Sequence, residues 1–331
     1  MPNPLGAQVR PVRLLGAGGT IAMQGERAVP ALDAHGLIEA IPALASVRGL
    51  EAESVLSVPS AYLTLPDTLE LGKRAAVAAA DGEGVVVSTG TDTLEEVAVL
   101  CALIHRGGEA PIVVTGANRP ATTPGADGPA NLVDAVAVAG SPHASGLGAV
   151  VVFGGEIHDA MIARKVDSTG PAAFGSPAGG PLGRVVDGRV WLHASSTRRT
   201  SLAVDTLEAR VEIVNPGLGD DGALLRHAAA SADGVVVVVF GAGHLSPALL
   251  AALRDAASRV PVVLTCRPAR SAMLVETYGF EGAERDLRSS GALCAPFLSP
   301  AAARMVLLCC LGAGLDGAGM EAVFAPWDVE V

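Results

Sequence analysis

Two stretches place hydroxyl and carboxylate groups where an apolar strand runs into a turn. In Gly84-Val85-Val86-Val87-Ser88-Thr89-Gly90-Thr91-Asp92-Thr93-Leu94-Glu95-Glu96, a hydrophobic run passes through Gly90, Thr91 and Asp92 into a helical pattern. In the other, Val12-Arg13-Leu14-Leu15 leads into Gly16-Ala17-Gly18-Gly19-Thr20-Ile21-Ala22. A hydroxyl converging with a carboxylate, beside the free NH groups of a helix N-terminus, suits a polar ligand at the carboxyl end of a buried strand. Glycines let the backbone turn sharply and come close to such a ligand. A dinucleotide fingerprint is the rival for the Gly16 stretch, but the third glycine it needs is Ile21, and the Gly-Lys-Ser/Thr of a P-loop is absent.

The elements that must hold these turns read as alternating strands and helices. The valine run is too short for a helix and too apolar for a half-exposed strand, so Gly84 to Ser88 is expected in the centre of a sheet covered on both faces. Thr93 and Glu96 form a Thr-x-x-Glu capping box that predicts a helix through about His105. Further strands are expected at Val12 to Leu15, Pro111 to Thr115, Gly148 to Phe153 and Val190 to His193. Helices are expected from Thr64-Leu65-Pro66-Asp67 to about Ala80, and from Asp127-Gly128-Pro129 to about Ala139. A second alternation has strands at Val211 to Val214, Gly234 to Phe240 and Val260 to Thr265, with helix starts at Ser246-Pro247 and Ser299-Pro300. The pattern is α/β: a larger N-terminal, mostly parallel sheet flanked by helices, then a smaller C-terminal α/β domain. The polar Ser195-Ser196-Thr197-Arg198-Arg199-Thr200 marks the connection between them.

The chain has 331 residues, 50% of them hydrophobic, enough to bury a sizeable core. Aromatic residues make up 3% and the net charge is −11, which together argue against stacking on bases or binding nucleic acid. No apolar run approaches the roughly 20 residues of a membrane helix. Met1-Pro2-Asn3-Pro4-Leu5-Gly6 lacks the basic and hydrophobic regions of a signal peptide, so a cytoplasmic protein is expected. The five cysteines form no CxxC pair and mostly sit in apolar runs, as buried free thiols do. None of the seven histidines shows metal-ligand spacing.

The two glycine-rich turns together resemble the bacterial-type L-asparaginase family, whose signatures are a Gly-Gly-Thr-Ile-Ala turn and a Gly-Thr-Asp-Thr turn. Val114-Thr115-Gly116-Ala117-Asn118-Arg119-Pro120, Ala126-Asp127-Gly128-Pro129-Ala130-Asn131-Leu132 and Ala163-Arg164-Lys165-Val166-Asp167-Ser168 look like further blocks in the family's order. Gly241-Ala242-Gly243-His244 and Leu298-Ser299-Pro300-Ala301-Ala302-Ala303-Arg304 look like its later landmarks. The resemblance spans nearly the whole chain. It implies a catalytic domain over 1–195, a linker over 196–212 and a C-terminal domain over 213–331. It also implies a homo-oligomer built as a dimer of dimers, with each active site shared between two subunits.

By resemblance, the reaction is hydrolysis of L-asparagine to L-aspartate and ammonia, with glutamine as a minor substrate and no cofactor or metal. Such a reaction needs a nucleophile, a base and stabilisation of an oxyanion. Thr20, beside Gly19, matches the threonine that attacks the amide to form an acyl-enzyme. Thr91 and Asp92, after Gly90, match a pair that works with a lysine able to activate threonine or water. Asp92 also matches the group that holds the substrate's ammonium, and Ser60 the serine that binds its carboxylate. Taken singly, Thr20 and Thr91 read as turn residues, Asp127 as a helix N-cap and Lys165 as a solvated lysine.

The chain also departs from the family's pattern. The family lysine usually stands four residues after an arginine, a place that from Arg164 falls on Ser168; the nearest lysine, Lys165, is the candidate to take its place as the catalytic lysine. Residues 23 to 50 contain no tyrosine, and Ala28 falls near where the loop tyrosine usually stands. Tyr62 is a candidate to supply a phenol instead. Ala61 stands where a polar, amine-contacting side chain is common. Ser246, Glu276, Glu281 and Glu284 are candidates for contacts lent to a neighbouring subunit. A second reading is a catalytically weak or inactive homologue that binds an amino acid; a third, the amidase subunit of a tRNA-dependent amidotransferase, would normally need an extra N-terminal domain.

Overall fold

Val86 belongs to an apolar cluster with Leu14, Val113 and Leu132, whereas its neighbours Val85 and Val87 belong to another with Leu71, Val97 and Ala98. Alternate residues of one strand thus feed cores on opposite faces of a sheet, so the run has no polar side. Each fully buried valine contributes about 1.5–3 kcal/mol relative to leaving it exposed.

The structure is a computed structural model that describes residues 9–24, 29–30, 32–108, 110–195 and 200–329. The chain divides into a unit ending at Leu202 and a unit beginning at Ala203. The first carries strands β1 (Val12–Gly18), β2 (Met23–Gln24), β3 (Val29–Pro30), β4 (Leu50–Val58), β5 (Gly84–Ser88) and β6 (Ile112–Thr115). After these come β7 (Ala149–Phe153), β8 (Glu156–Asp159), the short hairpin of β9 (Arg164–Lys165) and β10 (Phe174–Gly175), then β11 (Gly183–Val186) and β12 (Arg189–Leu192). Its helices are α1 (Ala34–Glu39), α2 (Pro42–Ala45), α3 (Leu65–Ala80), α4 (Leu94–Ile104) and α5 (Gly128–Gly140).

The main sheet runs in the order β12-β11-β8-β7-β6-β5-β1-β4. From β4 to β7 the pairings are parallel, and β8, β11 and β12 continue the sheet in antiparallel pairings. β5 lies between β1 and β6, so the turns after β1 and β5 leave the sheet side by side. β4, absent from the sequence reading, is an edge strand whose Glu51 and Glu53 pair with Arg13 and Arg74. Charged residues are tolerated there because an edge is only partly covered.

The second unit carries the parallel sheet β13 (Val211–Val214), β14 (Gly234–Val239), β15 (Val262–Cys266) and β16 (Leu293–Cys294). Around it lie α6 (Ala223–Ser231), α7 (Pro247–Ala257), α8 (Glu284–Arg288), α9 (Pro300–Gly312) and α10 (Gly317–Phe324). Two-domain α/β architecture is thus the fold of the chain. Part of the expected linker, 196–199, lies outside the described residues. Beyond it the backbone packs on the second unit: Asp205 N donates to Gly312 O at 3.4 Å.

Three helix starts follow local sequence chemistry. Thr64 and Asp67 bond each other's backbone NH in a capping box at α3. Ser246 accepts from Leu249 N, and Ser299 from Ala302 N, to cap α7 and α9. The capping box expected at α4 does not form through Thr93. Its hydroxyl makes no cap bond and instead donates to Ser60 O at 3.1 Å, because the loop after β4 passes within reach. Among the described residues no helix is long and apolar enough to cross a membrane.

Candidate active site

The turns after β1, β4 and β5 interlock through glycines. Gly18 and Gly19 have φ of +83° and +79°, a region that other residues enter at a cost. A β-carbon on Gly18 would lie 2.6 Å from Val58 N, and one on Gly19 would lie 2.2 Å from Gly90 N. On Gly90 it would meet Ser60 Oγ at 2.5 Å. At Gly18 and Gly19 glycine is therefore required by close packing of backbone on backbone as well as by conformation. Thr20 opens a short 3-10 turn through Ala22, with Ile21 and Ala22 buried beneath it. Thr20 itself stays partly exposed, one residue from the Gly19–Gly90 contact.

Thr91 is buried and Asp92 is largely exposed at the mouth of the β5–α4 turn. Ser60 holds that turn from below: Asp92 N donates to Ser60 Oγ at 3.2 Å. Lys165 reaches the same place from the β9–β10 hairpin, donating from Nζ to Thr91 Oγ1 at 2.9 Å and to Asp92 Oδ1 at 3.2 Å. The hairpin pairs Lys165 with Phe174, whose ring packs 5.0 Å from that of Phe153. Ser168, where counting from Arg164 put the lysine's place, is exposed, and the adjacent Lys165 occupies the position against Thr91.

Asn118, in the Val114–Pro120 block, carries no signal of its own in the sequence, yet it completes this cluster. Its Oδ1 lies 3.4 Å from Thr91 Oγ1, and its Nδ2 donates to Gly170 O at 2.9 Å. Asp127 stands at the N-cap position of α5 but makes no cap bond, contrary to the sequence expectation. Its carboxylate instead accepts from Asn118 N at 3.0 Å, Arg119 N at 2.8 Å and Asn131 Nδ2 at 3.2 Å. Asn131 also donates to Gly116 O and accepts from Gly154 N, tying the β6–α5 and β7–β8 connections together. On the far side, Asp167 accepts from Thr169 N and Gly170 N, and these bonds hold its carboxyl below the usual range.

Ala61 and Tyr62 follow Ser60 on a 3-10 turn and are exposed, Tyr62 at 73%. Ala28 lies outside the described residues. In the second unit, Ser246 is committed to capping α7, and Glu276 and Glu281 are exposed. Glu284 is fully buried and accepts from Thr277 N and Tyr278 N, with His244 Nε2 3.6 Å away. Burial pushes the Glu284 carboxyl up, but these NH groups outweigh it and leave the group below its ordinary range.

The N-terminal asparaginase domain model matches residues 11–198, and the glutaminase/asparaginase C-terminal domain model matches residues 210–324. A probable L-asparaginase of Deinococcus radiodurans is 36% identical over 318 residues, covering 94% of this chain and 96% of that protein. L-asparaginase 2 of Bacillus subtilis is 33% identical over 330 residues, covering 95% and 85%. Among solved structures, a probable cytoplasmic L-asparaginase from Campylobacter jejuni superposes with a TM-score of 0.83 at 29% identity, covering 96% of this chain and 99% of that one.

Proposed function

The chain belongs to the asparaginase family, and we propose that it hydrolyses L-asparagine to L-aspartate and ammonia at the cluster of Thr20, Thr91, Asp92 and Lys165. The observation that carries this reading is the lysine held 2.9 Å from a buried threonine hydroxyl and 3.2 Å from a carboxylate. A lysine so placed has a hydroxyl within reach of its nitrogen and a carboxylate to hold it there, the geometry that proton transfer needs.

In this mechanism Thr20 Oγ attacks the side-chain amide carbon. Its proton passes to the amide nitrogen, ammonia leaves, and an ester joins Thr20 to the aspartyl group. Lys165, in its neutral form, then takes a proton from the water that attacks this ester, and Thr20 is released with L-aspartate. Asp92 holds the substrate's ammonium and Ser60 its carboxylate. The reading includes minor activity on glutamine and a homo-oligomer built as a dimer of dimers. It also includes a cytoplasmic location, supported by five cysteines that are all free thiols.

Ammonia release from L-asparagine between about pH 6 and 10, by the wild-type chain and by Thr20→Ala, tests the reading. Turnover in the wild type that disappears in the variant is the expected result. One observation favours a second reading, an amino-acid-binding homologue without turnover: residues 23 to 50 supply no tyrosine. Calorimetric binding of aspartate, with no ammonia released from asparagine at any pH, would establish that reading instead.

A further inference from the structure

The carboxamide of Asn118 has only one orientation compatible with its neighbours. Gly170 O is a backbone carbonyl and can only accept, so the nitrogen of Asn118 must be the end that faces it at 2.9 Å. The oxygen is then the end that faces Thr91 Oγ1 at 3.4 Å. That oxygen carries no proton, so the hydroxyl must donate. A threonine hydroxyl has a single proton, and once it is given to Asn118 only lone pairs remain for Lys165. The hydrogen bonds therefore run one way, from Lys165 Nζ to Thr91 Oγ1 and from Thr91 to Asn118 Oδ1.

We propose that Asn118 is a positioning residue that keeps the lone pair of Lys165 free by turning the Thr91 proton away from it. The inference rests on the hydrolase reading above. A neutral lysine has two N–H bonds and one lone pair; with Thr91 Oγ1 and Asp92 Oδ1 accepting the two N–H bonds, the lone pair is left free. If the Thr91 hydroxyl rotated to donate to Lys165, it would occupy that lone pair and silence the base. Gly170 O, held in place by the Asp167 turn, sets the direction of the whole chain of bonds.

The experiment compares Asn118→Leu and Asn118→Asp with the wild type by the pH profile of ammonia release, and it presupposes wild-type turnover. Both variants lose the bond to Gly170 O, but only the aspartate keeps an acceptor for Thr91. Asn118→Leu is expected to lower kcat roughly 10- to 100-fold, with KM little changed and the rising limb of the profile moved to lower pH, because the rotated hydroxyl stabilises neutral Lys165. Asn118→Asp is expected to keep a plateau kcat near wild type and to move that limb to higher pH, because a second carboxylate favours the ammonium. The other charged groups on these loops, Asp92, Asp127, Asp167 and Arg119, are the same in both variants. Equal losses in both, or limbs that move the same way, would overturn the inference and leave Asn118 as a tether of the Gly170 loop. A wild-type chain that binds aspartate but releases no ammonia would instead overturn the hydrolase reading.

Discussion

Gly19 and Gly90 meet backbone to backbone, so closely that a β-carbon on Gly19 would stand 2.2 Å from Gly90 N and 2.4 Å from Gly90 Cα. Neither atom can move without displacing the turn that carries Thr91. Gly19→Ala is therefore expected to destabilise the chain by more than about 2 kcal/mol, the sum of overpacking and a positive φ. Gly90→Ala meets Ser60 Oγ at 2.5 Å and Ser60 Cβ at 2.8 Å, side-chain rather than backbone atoms and without a positive φ, and is expected to cost less. Urea midpoints for the two variants check the order, and an equal or reversed order would refute the packing argument.

Lys165→Met should remove the proton acceptor while leaving the hairpin intact, with kcat falling roughly 100- to 10,000-fold. Lys165→Arg should fail almost as badly. A guanidinium keeps its charge throughout the working range and cannot accept a proton. Ammonia release measured at saturating asparagine separates this outcome from weak binding. Activity in the arginine variant close to wild type would mean that only the positive charge matters.

Asp127→Ala would leave the NH groups of Asn118 and Arg119 without their acceptor inside the loop that carries Asn118. A fully buried, unsatisfied donor costs about 1–3 kcal/mol, and these two are partly buried, so a combined loss of roughly 1–2 kcal/mol is expected. Asp127→Asn keeps one acceptor oxygen and should lose less. Thermal unfolding of both variants tests this. If alanine is harmless, these bonds do not hold the loop.

Asp134 on α5 is partly buried, and burial pushes its carboxyl up to about 6 from 3.8. Between those values the folded chain binds a proton that the unfolded chain has released, so stability falls as pH rises from about 4 to about 6 and levels off above. Asp134→Asn removes that cost. Above pH 6 the variant should be more stable by roughly 1–2 kcal/mol, screening by solvent reducing the full shift, and near pH 4 it should match wild type. Melting temperatures across this range would contradict the account if the difference were constant.

The features legible in the sequence are those decided by residues close together in the chain. An unbroken valine run can only be a strand covered on both faces, and β5 is that strand, with every residue buried. A serine followed by proline supplies its own cap, and α7 and α9 begin at Ser246 and Ser299 accordingly. Consecutive glycines before Thr20 announce a turn that other residues could not make, and Gly18 and Gly19 both take positive φ.

Where several partners compete for one polar group, the sequence was silent or misleading. Thr93 looked like a cap, but Ser60 O lies within reach and takes its hydroxyl. Asp127 looked like a cap, but the NH groups of Asn118 and Arg119 converge on its carboxylate. Asn118 gave no signal of its own, since its role depends on Gly170 O on another loop. Lys165 taken singly reads as a solvated lysine, whereas the hairpin register brings it to Thr91.

By itself, then, the sequence determined the apolar core strands such as β5 and β14, the glycine turns and the residue types gathered at their ends, because these follow from local sterics and from the period of apolar residues; the polar edge strand β4 gave no such period. Only the tertiary structure decided which lysine atom meets which hydroxyl and which way the proton of Thr91 points. Those choices depend on groups brought together from β5, β6 and β9, and hydrogen-bond direction is set only once every donor and acceptor in the cluster has been counted.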